Sequence, residues 1–168
     1  MDFKLILVSN FKSKIDLKLD GTENINDLSK HEQKNILNSN NIFSKFIDSL
    51  YFNNNLPNNH KIYNSALNNK HINIIEDNKI IKKKKSYLYD IMFTPCIKMI
   101  ENIITSNNKS KQYGKYKEII ELYHSIPIHK KLMKVYHDEV NILSYNKKDI
   151  ILNTWLFFYK SLIYKKIS

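Results

Sequence analysis

Between Phe52 and Lys70 the chain reads Phe-Asn-Asn-Asn-Leu-Pro-Asn-Asn-His-Lys-Ile and then, after a short apolar run, Asn68-Asn69-Lys70. So dense a string of turn-forming residues separates two different periodicities. Upstream, Phe43, Phe46, Ile47, Leu50 and Tyr51 recur at spacings of three and four and make one apolar helical stripe. Downstream, Ile62 to Leu67, Ile72 to Ile75 and Lys79 to Lys83 are short runs that read as strands. Glu76-Asp77-Asn78 joins the last two, and Asp and Asn tolerate the positive φ of tight hairpin turns. A small antiparallel sheet set into a mostly helical chain follows, which is an α+β domain.

The flanking sequence agrees. Phe3 to Val8 and Ile15 to Leu19 can pair as strands before a turn at Asp20-Gly21. Ser29-Lys30-His31-Glu32 fits a capping box, opening a helix that ends around Asn38 to Asn40. From Tyr87 the pattern is helical to the end. Thr94 as N-cap with Pro95 at the first helical position predicts a fresh helix whose Ile97, Ile100 and Ile104 share a face. Tyr113, Tyr116, Ile120 and Tyr123 mark the next, limited by Pro127, with Thr105 to Ser110 as a surface loop before it. Leu132, Tyr136, Val140 and Leu143 mark another, and Lys147 to Lys165 the last, carrying Ile151, Trp155, Phe158 or Tyr159, and Leu162. At 168 residues the chain makes one domain in three parts: N-terminal strands over 1–28, helices and hairpin sheet over 29–85, and helices over 86–168.

Composition excludes more than it assigns. The two glycines, Gly21 and Gly114, cannot write G-x-G-x-x-G, a Walker A loop or a nucleophile elbow. One cysteine, Cys96, rules out an intrachain disulfide framework and a Cys-rich zinc finger, and a buried inert thiol is its expected state. No cofactor is implied. Met1 to Ser9 lacks a secretory apolar core, and Asp149 to Tyr164 is too short and too polar to span a bilayer, so a soluble intracellular chain without a membrane span is expected. The net charge is +11 and every cation is a lysine. Such a balance points to anionic partners, DNA or RNA, although Ile, Lys and Asn enrichment also fits an A+T-rich genome. Without arginine there is no bidentate fork for reading guanine, so any binding rests on charge rather than base sequence.

Three segments carry a family resemblance: Gly21-Thr22-Glu23-Asn24, Leu50-Tyr51-Phe52-Asn53 and Pro57-Asn58-Asn59-His60-Lys61-Ile62, with Ser65 and Asn69-Lys70 in similar places. About half the chain, from Gly21 to Asn102, resembles an uncharacterised domain that recurs in giant viruses, the nucleocytoplasmic large DNA viruses. Asn58 stands where that pattern has Glu, Lys61 where it has Asn, and Asp77-Asn78-Lys79-Ile80 lacks its Gly and Trp. In relatives the domain often follows a zinc finger, which this chain lacks. The resemblance implies a viral protein acting in the host-cell cytoplasm (the viral factory) or nucleus, or carried in the virion, and it implies no activity.

Candidate sites follow. Lys82, Lys83, Lys84 and Lys85 form the tightest positive cluster, a phosphate contact or a solvated strand exit, and Lys109, Lys111 and Lys115 extend it, with Lys117, Lys130, Lys131 and Lys134 beyond. Tyr113 and Tyr116 interleave with lysines as stacking groups or as core. The loop residues Asn53, Pro57, Asn59 and His60 are expected to fix the turn, with Asn53, Asn59 and His60 satisfying backbone groups. A metal-dependent nuclease centred on His60, with Asn64 and His71, is the third reading. His124, His129 and His137 with Asp138 show no metal-ligand spacing, so no metal is assigned. Trp155, Phe158 and Leu162 are candidate contacts for a viral protein or a second copy. The leading expectation is a non-enzymatic accessory protein binding nucleic acid weakly through lysines; the alternative is an interaction module built on the C-terminal helices.

Overall fold

The fold is that of a computed structural model, which describes residues 21, 23–76, 79–106 and 113–167. The strands expected over Phe3 to Val8 and Ile15 to Leu19, the Asp77-Asn78 turn, Lys109 and Lys111 lie outside the described residues. Helix α1 spans Lys30–Leu37 and α2 spans Ile42–Tyr51; strands β1 (Ile62–Tyr63), β2 (His71–Glu76) and β3 (Lys79–Lys84) follow. Helices α3 (Lys85–Ser106), α4 (Tyr113–His124), α5 (Ile126–Asn146) and α6 (Lys148–Ile167) complete an α+β domain.

Local chemistry explains the boundaries. The Ser29 hydroxyl accepts from Glu32 N at 3.2 Å and the Glu32 carboxylate accepts from Ser29 N at 2.8 Å, so the expected capping box opens α1. All five residues of the predicted α2 stripe are buried. The sheet is antiparallel in the order β1-β2-β3, with Ile62 opposite Ile74 and Ile74 opposite Ile81. The core joins this sheet to α2 and α3: Phe43 meets Phe93 edge-on at 5.2 Å and Tyr136 of α5 at 4.5 Å.

Two boundaries differ from expectation. Strand β1 stops at Tyr63 rather than Leu67 because the next side chain, Asn64, turns inward and donates to Asn141 O and Ser144 Oγ of α5. The Ala66 and Leu67 carbonyls are taken by Lys85 Nζ, so no strand partner is available to them. The helix expected to restart at Thr94-Pro95 does not restart; α3 runs through both. Phe93, Cys96, Ile97, Met99 and Ile100 are all buried, and this packing carries the helix across the proline. Thr94 Oγ1 bonds the Asp90 carbonyl at 3.3 Å, and the missing Pro95 N–H leaves the Ile91 carbonyl without its helical donor. Gly21, at φ +73°, lies against that carbonyl, where a Cβ would approach to 3.0 Å. The glycine and the proline are two halves of one contact.

Candidate nucleic-acid interface

The four-lysine run divides by strand geometry. Side chains alternate along β3, so Lys82 and Lys84 point to one face and are exposed, while Lys83 points to the other and pairs with Glu76 at 2.5 Å. Lys85 is the correction. It begins α3 and turns inward, 7% exposed, with Nζ donating to Ala66 O at 2.7 Å, Leu67 O at 3.2 Å and Asn141 Oδ1 at 2.7 Å. Those three acceptors use all three ammonium donors, and burial pushes its pKa below the usual lysine value. Lys85 has no donor left for a phosphate.

Around Lys85 lie Tyr89, Asn141, Ser144 and Asn64. The Tyr89 hydroxyl is 3.3 Å from Ser144 Oγ, and burial, opposed by that bond, raises its pKa to about 12. The hydrogen bonds of this cluster tie the segment after β1 to α3 and α5. Because the folded value lies above the ordinary 10, the stabilisation is complete below pH 10 and lost as pH rises through 12. Burial also raises Tyr116, Tyr123 and Tyr136, which act in the same direction. Urea unfolding midpoints are expected to hold up to pH 10 and then fall. Tyr89 alone contributes about 2–3 kcal/mol of that fall, so Tyr89→Phe should flatten it, and an unchanged alkaline slope in that variant would refute the assignment.

The three segments that carried the family resemblance converge. The Glu23 carboxylate, fully buried, accepts from Tyr51 Oη at 2.7 Å and from Lys61 Nζ at 2.8 Å. Asn53 Oδ1 accepts from Asn55 N at 3.0 Å, which fixes the loop as expected. His60 is buried with both ring nitrogens engaged, Nε2 on Asn53 O at 3.0 Å and Nδ1 on Thr154 Oγ1 of α6 at 2.6 Å. A carbonyl can only accept, so Nε2 carries the proton, and burial, opposed by that carbonyl, lowers the imidazole pKa. The Trp155 Nε1–H donates to His60 O at 2.7 Å. Pro57 opens a short 3-10 turn over Pro57–Asn59. Asn59 departs from expectation, since its buried Nδ2 has no hydrogen-bond partner among the described residues. His71 is exposed at the start of β2, and no group of three metal-ligating side chains occurs among the described residues. The loop is a fastening. Beside it a cleft of about 440 Å³ is lined by Asn53, Asn54, Asn55 and the Asp48–Lys147 pair, whose charges cancel.

Exposed charge gathers instead on α5. Lys130, Lys131 and Lys134 are exposed on its first half and form no ion pair among the described residues. Lys130, Lys134 and His137, spaced i, i+4 and i+7, line a cleft of about 260 Å³ against Asp90 of α3, with Met133 as its buried floor. His137 Nε2 bonds Asp90 Oδ1 at 2.7 Å, and its ring lies parallel to Phe93, 3° apart. Lys115 on α4 is also exposed, whereas Tyr116 is core, its hydroxyl on Leu37 O. The signal for this cleft was present in the sequence: Lys130 to His137 holds three lysines and a histidine at helical spacing with no acidic residue.

Trp155 is not a surface anchor. It is 1% exposed, hydrogen-bonded to His60 and 5.9 Å from the Tyr63 ring. Phe158 is half-buried against the core, and the Leu162 side chain lies outside the described residues. No helix among the described residues is long and apolar enough to cross a membrane. Cys96 is fully buried, which drives its thiol pKa well up. No family model, curated protein or solved structure matches the chain.

Proposed function

We propose that this chain is a non-enzymatic accessory protein, of the giant-virus kind its motif segments resemble, that associates weakly with nucleic acid through lysines and with little base specificity. One observation supports this reading above others: Lys130, Lys131 and Lys134, with Lys82, Lys84 and Lys115, are exposed cations without acidic partners among the described residues. Lysine ammoniums neutralise phosphates and release condensed counterions; they do not read bases. Binding to single- and double-stranded DNA and RNA across a salt series tests it. Affinity should fall steeply with salt, and a Lys130→Ala/Lys131→Ala/Lys134→Ala variant should lose roughly one to three units of log–log slope, about 0.9 per contact removed. No binding at low salt overturns the proposal.

A second reading draws on exposed apolar side chains. Val135 and Ile142 on α5 are 51% and 54% exposed and Phe157 on α6 is 68% exposed. In that reading the helices contact a protein partner and the charge is incidental. Nucleic-acid affinity absent or unchanged by the lysine variants, together with self-association in sedimentation velocity that Val135→Ser/Ile142→Ser abolishes, would favour it.

A further inference from the structure

We infer that the α3–α5 cleft is a seat for a single phosphate monoester, and that on a nucleic acid it takes the phosphorylated chain end in preference to an internal phosphodiester. The inference rests on the lysine reading above and gives it a location. Two features separate this place from a merely basic surface. It is concave, about 260 Å³, so it admits a projecting group. Its donors also sit on one side of one helix: Lys130, Lys134 and His137, one turn apart.

The donor count matches the ligand. A terminal monoester presents three non-bridging oxygens and close to two negative charges, whereas a diester presents two oxygens and one charge. Lys130, Lys134 and, when its ring is protonated, His137 supply three cationic side chains, one for each oxygen. His137 is positioned for this, because Asp90 holds Nε2 at 2.7 Å and Phe93 lies parallel to the ring, leaving Nδ1 without a protein partner among the described residues. Among the described residues Asp90 is the one opposing charge lining the cleft, and its hydrogen bond to His137 directs it toward the imidazole.

The test compares 5′-phosphorylated and 5′-hydroxyl oligonucleotides of one sequence, labelled at the 3′ end, by fluorescence anisotropy at fixed salt. The phosphorylated form should bind roughly tenfold tighter, the value of one additional charge-assisted contact. That preference should vanish in Lys130→Ala/Lys134→Ala and persist in Lys82→Ala/Lys84→Ala, with circular dichroism confirming that both are folded. Equal affinity for the two oligonucleotides, or a preference that survives Lys130→Ala/Lys134→Ala, overturns the seat while leaving salt-dependent association standing. If neither oligonucleotide binds, the nucleic-acid reading fails, and inorganic phosphate titrated at constant ionic strength decides the seat. A saturable shift of the His137 ring resonances, absent in the double variant, assigns it to free phosphate monoesters; no shift overturns it.

Discussion

Replacing Trp155 with alanine should cost about 3–5 kcal/mol, the range for truncating a large buried aromatic. Single domains are commonly stable by only about 5–15 kcal/mol, so the variant should be marginal at 25 °C. The effect has two separable parts. The indole fills space against Tyr63 and the core, and its N–H satisfies the His60 carbonyl at 2.7 Å. Trp155→Phe keeps most of the ring and orphans that carbonyl, so it should cost about 1–3 kcal/mol. Urea unfolding followed by far-ultraviolet circular dichroism measures both, since this is the sole tryptophan and its fluorescence is lost with it. If Trp155→Ala unfolds within about 0.5 kcal/mol of the parent, the surface range, then α6 is not fastened to the loop as described.

Lys85 and its neighbours in the lysine run should behave oppositely. Lys85→Met keeps an unbranched chain of similar length but leaves Ala66 O without a donor and takes one donor each from Leu67 O and Asn141 Oδ1, which keep Asn141 Nδ2 and Asn64 Nδ2. Hydrogen bonds to a charged group carry about 1.5–3 kcal/mol each, and partial rehydration of the carbonyls returns some of it. A net loss of about 2–4 kcal/mol is expected, on the same scale. Nucleic-acid affinity of the folded fraction should not change. Lys82→Ala/Lys84→Ala should leave stability within about 0.5 kcal/mol and lower affinity. A Lys85→Met variant of parental stability and weakened binding would show that the side chain faces solvent after all.

What could be read from the sequence was whatever local chemistry decides. The Ser29–Glu32 capping box, the α2 stripe and the β2–β3 pairing each rest on neighbours within a few residues, and each is found where expected. What failed was decided by distant partners. Nothing near Asn64 announces Ser144, eighty residues away, yet that contact ends β1. Nothing near Pro95 announces Gly21, or the packing that holds α3 continuous. The lysine run misled for a related reason: four identical side chains look alike in sequence, but the strand alternates them and the start of α3 turns the fourth inward. The three motif segments meet at Glu23, Tyr51 and Lys61, a convergence that no one of them announces in its own local sequence.

Among the described residues strand β3 has β2 as its sole partner, so its other side is an open edge of the described sheet. Open edges recruit further strands from other molecules and are a common route to fibrillar aggregation. Here any second copy approaching along that edge would bring its own Lys82 and Lys84 alongside the first pair. Like charges set across neighbouring strands repel, so the edge discourages its own propagation whatever else its lysines touch. Screening weakens that repulsion, since the Debye length shortens from about 10 Å at 0.1 M salt to about 3 Å at 1 M. The high salt that would strip a nucleic acid from this protein, on the proposed reading, is therefore also the condition under which concentrated samples lose their guard against self-association.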